Sequence, residues 1–203
     1  MLSEKNQKNF FNDINDHIIG VDEVGRGALC GPVVSCCVLL KKEIFENVLV
    51  NEINDSKKIS PRKREVLSNF IKRNSIYSLG EASNTEIDNI NILNATIKSM
   101  KRALKRFDGF TNIIKVDGQK TFDYNERTFF VKRGDSVSVS IASASIVAKT
   151  FRDNLMLEYS KDYPNYKWDK NKGYGTKDHF SAIQQFGPTP LHRKSFLKNL
   201  ITQ

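Results

Sequence analysis

The sequence predicts a mixed α/β domain, a β-sheet flanked by helices, with a small helical extension at its C-terminal end. Three observations carry that prediction. Two runs rich in Val and Ile, residues 17–24 and 32–41, are joined by a glycine-rich turn. Helix signals then alternate with further short apolar runs, as in a sheet covered by helices. After Tyr163-Pro164 the chain changes character, to Lys, Asn, Gly and aromatic residues. The expected organisation is a polar segment 1–16, a main domain 17–163 and a helical extension 164–203.

Met1 to Asp16 is polar and rich in Asn and Lys. It lacks the apolar core of a signal peptide, so a cytoplasmic location is expected. The first strand ends on two adjacent carboxylates, Asp22 and Glu23, and the turn Gly25-Arg26-Gly27 leads toward the second. Ser60-Pro61 reads as an N-cap followed by proline at the first helical position. The helix runs to Lys72 with Val66, Leu67, Phe70 and Ile71 as its apolar stripe. Ile76–Ala82 is a short strand, and Ser83-Asn84-Thr85-Glu86 offers a capping box. A long amphipathic helix follows through Phe107. Ile90, Leu93, Ile97, Met100, Leu104 and Phe107 are expected inward, with Lys98, Lys101, Arg102, Lys105 and Arg106 outward.

Residues 113–118 form another strand, ending at Asp117-Gly118. Phe129–Val131 is a further short strand that runs into Lys132-Arg133-Gly134-Asp135. From Ser138 to Ser160, Ala144, Val147, Ala148, Phe151 and Leu155 mark a long helix whose small residues allow close packing on the sheet. A short helix at Asp178–Phe186 and a polar tail complete the chain.

The 203 residues suffice for one domain with a sizeable core. No apolar run approaches the roughly 20 residues of a membrane helix. Cys30, Cys36 and Cys37 are odd in number and too closely spaced for a disulfide framework or a zinc site, so core packing is expected for them. The net charge of +9 favours a polyanionic partner, although a Lys-, Asn- and Ile-rich composition explains part of it.

Four acids stand out: Asp22 and Glu23 at one strand end, Asp117 at another, Asp135 after a third. Strand ends on one side of a sheet converge, and an oxygen-rich cluster suits Mg²⁺ or Mn²⁺. Each acid also has a plainer reading. Asp135 is placed to cap the next helix, Asp117-Gly118 to make a turn, and Asp22-Glu23 to end an exposed strand. That all three plainer readings hold together is much less favoured than a shared site.

In this order the motifs closely resemble bacterial ribonuclease HII, the type 2 ribonuclease H, from Ile18 to about Phe196. They are Asp22-Glu23-Val24-Gly25-Arg26-Gly27 with Gly31-Pro32, Asp55-Ser56-Lys57-Lys58-Ile59-Ser60 with Arg64-Glu65, and Asn94-Ala95. Val116-Asp117-Gly118, Lys132-Arg133-Gly134-Asp135 and Ser140 through Lys149 with Arg152-Asp153 follow. Lys172-Gly173-Tyr174-Gly175-Thr176, His179, His192-Arg193 and Ser195-Phe196 complete the set. The sister type HIII typically carries lysine where this chain has Arg26. Ser143 and Thr150 depart from the alanine and valine usual at their positions.

The resemblance implies a ribonuclease H-like fold and an endonuclease acting on RNA–DNA hybrids and on DNA duplexes that contain single ribonucleotides. It implies 3′-hydroxyl and 5′-phosphate products and two Mn²⁺ or Mg²⁺ ions held by Asp22, Glu23, Asp117 and Asp135. Gly25, Arg26, Gly27 and Tyr174 would read the ribonucleotide junction. Lys57 and Lys58, ahead of a helix start, suit phosphate contacts. His179 and His192 are expected to be structural or weak substrate contacts. A monomer is the expected state, and no membrane is implied. Two rival readings remain at this point: a ribonuclease H-like DNA nuclease, which would cut all-DNA duplex, and a non-catalytic duplex-binding module, which would have lost one of the four acids.

Overall fold

The computed structural model describes the backbone of residues 4–201 and the side chains of residues 10–198. Among these, five strands form one sheet: β1 (Ile19–Val24), β2 (Val33–Leu40), β3 (Ser75–Ala82), β4 (Ile114–Asp117) and β5 (Thr128–Val131). Their spatial order is β3-β2-β1-β4-β5. β2 runs antiparallel to β1 and β3, β4 parallel to β1, and β5 parallel to β4. The helices are α1 (Glu4–Asn15), α2 (Pro61–Arg73), α3 (Asn84–Leu104), α4 (Val139–Asp162), α5 (Trp168–Asn171), α6 (Lys177–Phe186) and α7 (Lys194–Ile201).

β2 is buried along its whole length because it has helices on both faces. Its side chains alternate between two cores. Cys36, Val38 and Leu40 join Leu67 and Ile71 of α2 and Val147 of α4. Cys37 and Leu39 join Met100 and Leu104 of α3. The cysteines are thus free and buried, as their spacing predicts. Each Val or Ile fully buried in these layers contributes about 1.5–3 kcal/mol. Gly20 is what lets α4 lie directly on β1: a Cβ there would stand 2.1 Å from the Ser140 carbonyl carbon. That close approach fixes the height of α4 over the strand carrying Asp22 and Glu23.

The structure departs from the sequence expectations in four places. Part of the segment expected as a polar lead-in is the helix α1, whose Phe10 and Ile14 enter the main core. Its Asp13, 2% exposed, accepts from Lys115 Nζ at 2.5 Å and from the Ser138 hydroxyl, tying α1 to β4 and to the start of α4. Second, α3 breaks at Asn91, which has φ 63° and accepts the Asn94 amide on Oδ1 at 3.0 Å, like a fresh cap. The break resets the helical phase, so Leu93, expected inward, is exposed, and Ala95, Ser99, Met100 and Ala103 form the buried face. Third, Val66 is exposed, because the face of α2 that packs inward carries Arg64, Leu67, Ser68 and Ile71. Fourth, the expected polar tail contains α7, with Leu197 fully buried. The capping box at Ser83 and Glu86 forms as predicted. At Ser60 the hydroxyl makes no capping bond; α2 starts instead with the Arg64 amide on the Ser60 carbonyl at 2.8 Å.

The extension does not stand apart from the sheet. Trp168, Ile183 and Leu197 share a core with Met156 of α4 and with Leu29 and Cys30, which follow the glycine-rich turn. Segment 28–31 is paired with the extension on both sides. Ala28 bridges Tyr174 and Cys30 bridges His192, while the Gly31 amide donates to Leu191 O at 2.9 Å.

Candidate active site

Because β1 and β4 are parallel neighbours, with Val21 opposite Val116, the next residues lie side by side: Asp22, two residues before the end of β1, and Asp117, the last of β4. Asp135 arrives from the 3₁₀ turn Gly134–Ser136 that follows β5. The turn is tied back to β4 by the Gly134 amide, which donates to Asp117 Oδ1 at 2.6 Å. All four acids line one cleft of about 350 Å³, together with Ser56, Lys57, Ser145, Lys149 and Tyr174. A larger depression lies along Gly118–Lys132 but contains none of the four acids.

Asp22 is 6% exposed and makes no ion pair among the described residues. Burial first, then the neighbouring Glu23 and Asp117, push its carboxyl well above the usual range; a hydrogen bond with Ser145 opposes them. Its Oδ1 accepts the Glu23 amide at 2.7 Å. Burial also raises Glu23, with Arg26 pulling it back through a 3.2 Å contact to Oε1. Asp135 is raised by burial, then by Asp55 and Asp117, against the pull of Lys57 and Lys58. The site therefore concentrates negative charge that the protein itself only partly neutralises.

The other expected residues fall around this centre. Gly25 takes φ +92°, and a Cβ there would lie 2.2 Å from Arg152 Nε, so this position demands glycine twice over. Gly27 differs: no atom of the chain lies within 4 Å of where its Cβ would be. Arg26 is exposed and reaches back to Glu23. Lys57 lines the cleft, whereas Lys58 turns to Asp55 at 3.7 Å. The Tyr174 ring lies 5.6 Å from Lys149 Nζ and 5.4 Å from Arg152 Cζ.

Three residues of the cleft escape the sequence reading: Ser56, Ser145 and Lys149. Ser145 and Lys149 stand four residues apart on α4, and Asp153 follows after four more, so these three polar side chains share one stripe of the helix. That i, i+4 stripe was the available signal. It is held together by Lys149 Nζ on Asp153 Oδ1 at 2.6 Å and by Arg64 Nη2 on Asp153 Oδ2 at 3.0 Å. The Ser56 and Ser145 hydroxyls meet at 2.9 Å.

Comparison with known proteins decides the family. The family model for ribonuclease HII matches residues 19–199. The chain belongs to the ribonuclease HII family. It is an endoribonuclease that acts on RNA–DNA hybrids. Ribonuclease HII of Caldanaerobacter subterraneus subsp. tengcongensis is 46% identical over 96% of this chain and 80% of its own length. Among solved structures, the PCNA:RNase HII complex from Archaeoglobus fulgidus superposes with a TM-score of 0.74 at 19% identity, covering 89% of this chain and 94% of that one. Bst-RNase HIII in complex with Mn²⁺ gives a TM-score of 0.64 at 18% identity, covering 84% of this chain and 62% of that one. At such identities the superpositions speak for the ribonuclease H-like fold alone.

Within this member of the family the two extension histidines are architectural. The tightest set of metal-type donors among the described residues is Cys30, His179 and His192, within 4.8 Å of one another. The ring nitrogens of both histidines are engaged in hydrogen bonds within the protein. The Thr189 amide donates to His192 Nδ1 at 2.9 Å, so the proton of the neutral ring sits on Nε2 and points at His179 Nε2, 3.1 Å away. Trp168 Nε1 donates to that same atom at 3.0 Å, which leaves His179 Nδ1 to donate to Tyr174 O at 3.0 Å. Burial and the nearby His179 hold His192 down at about 4, and burial pushes the Cys30 thiol up to about 12. The two neutral rings make a hydrogen-bonded chain that ends on the backbone of Tyr174, with the protonated Cys30 thiol packed beside it.

Proposed function

We propose that the cleft hydrolyses the phosphodiester on the 5′ side of a ribonucleotide, in RNA–DNA hybrids and at single ribonucleotides embedded in DNA, leaving 3′-hydroxyl and 5′-phosphate ends. The observation that carries this reading is a buried Asp22, crowded by Glu23 and Asp117, beside a turn in which Gly25 is buried and Arg26 and Gly27 are exposed. Four hard oxygen donors, one of them buried with no basic partner of its own, fit Mg²⁺ or Mn²⁺. Asp22, Glu23, Asp117 and Asp135 would hold the ions, two in this reading. When bound, such ions supply water activation and stabilise charge on the departing oxygen.

The chain's own residues do the recognition. The 2′-hydroxyl is what distinguishes RNA from DNA at a site. Gly25 and Gly27 let backbone approach it, and the open space over Gly27 supports that role. Arg26 offers a planar fork for a phosphate and exchanges its contact with Glu23 for it. Lys57 and Lys58 contribute phosphate contacts that position the duplex. Tyr174, backed by Lys149 and Arg152, gives a ring on which the sugar or base at the junction stacks. Action as a cytoplasmic monomer belongs to the same reading.

The test uses two duplexes that differ by one ribonucleotide, each incubated with Mg²⁺ or Mn²⁺. A nick at the 5′ side of that residue, and none in the all-DNA duplex, is the expected result. Equal cutting of both would identify a DNA nuclease. Binding without cutting of either would identify a duplex-binding module.

A further inference from the structure

Arg193 and Arg152 are fully buried, and neither pairs with a carboxylate among the described residues. Both are held by backbone carbonyls instead. Arg152 donates from Nε to Pro32 O at 2.9 Å, from Nη1 to Lys172 O at 2.9 Å and from Nη2 to Cys30 O at 3.0 Å. Arg193 donates from Nη2 to Gly25 O at 2.7 Å and from Nη1 to Arg26 O at 2.8 Å; Nε and Nη2 also reach Gly31 O at 3.1 and 3.0 Å. Burial and the neighbouring Arg152 charge pull Arg193 down to about 9. Keeping two like charges buried is unfavourable, and a loop needs only neutral donors to be tethered. What a guanidinium adds is a rigid plane of donors that fixes several carbonyls at once.

The fixed carbonyls determine where the amides point. Every peptide of the described chain is trans. In a trans peptide the N–H of the following residue lies opposite the C=O. With the Gly25 and Arg26 carbonyls drawn inward onto one guanidinium, the amides of Arg26 and Gly27 turn outward. Neither amide has a hydrogen-bond partner among the described residues, and both residues are exposed. Two adjacent, unpartnered N–H groups above a buried positive charge suit an oxygen atom.

We propose that Arg193 is the positioning residue of the ribose-reading turn, so that the C-terminal extension sets selectivity for a ribonucleotide through the carbonyls of Gly25 and Arg26. This rests on the reading of that turn given above. Arg193 touches no substrate itself. Arg152 secures the flanks of the turn at Cys30 and Pro32, and packs against Gly25 where any side chain would collide with it.

The experiment compares wild type, Arg193→Lys and Arg193→Gln on matched duplexes with and without one ribonucleotide. Affinity is titrated without divalent cation, and kcat and KM are measured with Mn²⁺. Leu197→Ala is the control, since Leu197 is buried in the same core but contacts neither carbonyl. Arg193→Lys keeps the charge but not the planar fork. It is expected to lose about 100-fold in kcat on the ribonucleotide duplex, to lose the affinity preference for that duplex, and to bind all-DNA duplex as wild type does. Leu197→Ala is expected to lower the melting temperature with the preference intact. A measurement on the wild-type chain needs no variant. Amide exchange at Arg26 and Gly27 should slow when the ribonucleotide duplex binds and not when the all-DNA duplex does. A wild type that treats both duplexes alike overturns the ribose reading and this inference with it. A wild type that discriminates, with either folded Arg193 variant discriminating as well, overturns the inference alone. So does Leu197→Ala losing the preference in step with Arg193→Lys.

Discussion

Toward the ends of β1 and β4, Asp22, Glu23 and Asp117 crowd together with Arg26 as their one ion-pair partner among the described residues, whereas Arg152 and Arg193, just beyond the turn, crowd together with none among them. Both regions crowd like charges, and burial shifts the protonation of Asp22 and Glu23 on one side and of Arg152 and Arg193 on the other. They differ in how the charge is satisfied. Between them the two guanidiniums donate to six backbone carbonyls, so their charge is spent inside the fold. Asp22 accepts from the Glu23 amide and bonds with Ser145, and the rest of its charge faces a cleft. Like charge that the fold satisfies is architecture. Like charge left facing a cleft is where an external cation is expected.

Substitutions on the two sides should therefore move stability in opposite directions. The largest effect is expected at the acids. Asp22→Asn and Asp117→Asn should each lower nicking by about 10³-fold, since metal-ion stabilisation is worth several kcal/mol. Without divalent cation Asp22→Asn should also be more stable than wild type at pH 7. The sign follows from the raised carboxyl. The folded state holds that proton to higher pH than the unfolded chain, so the native carboxylate lowers stability as pH rises. The gap between variant and wild type should close as pH falls toward about 4. Nicking assays and melts over pH check both halves; near wild-type nicking by these variants would end the metal-site reading.

Arg152→Ala should do the reverse. It strips the Cys30, Pro32 and Lys172 carbonyls of a buried donor, and a loss of about 3–5 kcal/mol is expected. Denaturant unfolding measures it. A loss below about 1 kcal/mol would mean that the carbonyls find other partners and that the guanidinium is not what holds them.

Tyr174 belongs to both regions, as its ring lines the cleft and its carbonyl accepts from His179. Tyr174→Ala removes only the ring. It should weaken cleavage at a lone ribonucleotide by the equivalent of about 1–3 kcal/mol and duplex binding by less. An even loss on every substrate would make the tyrosine a part of the frame.

The smallest effects lie on α4, which carries both Ser145 and Arg152. Ser143 and Thr150, the two departures from the usual family residues, are buried with hydroxyls that meet no partner among the described residues. Ser143→Ala and Thr150→Val should each raise stability by about 1 kcal/mol without changing nicking. A drop in melting temperature would show that these hydroxyls are bonded after all.

Much of this was legible in the residues. The Val- and Ile-rich runs at 17–24 and 32–41 gave β1 and β2, and the Ser83-to-Glu86 capping box marked the start of α3. The four acids were legible because each ends or follows a strand, and parallel pairing of β1 and β4 brings such ends together. The pattern misled where an element draws its stability from distant contacts. The segment before Asp16 reads as polar because Phe10 and Ile14 are sparse among Asn and Lys, and only the core beneath them makes the helix worth forming. Leu93 fits the apolar period of an unbroken helix, and Asn91 interrupts that period by a backbone choice that asparagine tolerates but does not announce.

By itself, then, the amino-acid order determined the strands, most of the helices and which carboxylates share a site, because apolar period, caps and strand ends are local properties of the chain. The tertiary structure alone decided how the turn at Gly25-Arg26-Gly27 is held. Arg193 and Arg152 reach it from more than 100 residues away. Their partners are carbonyl oxygens, which every residue possesses, so no side chain in the turn records the contact. A charge pair leaves an acid and a base in the sequence to be matched; a guanidinium on a backbone leaves only the arginine.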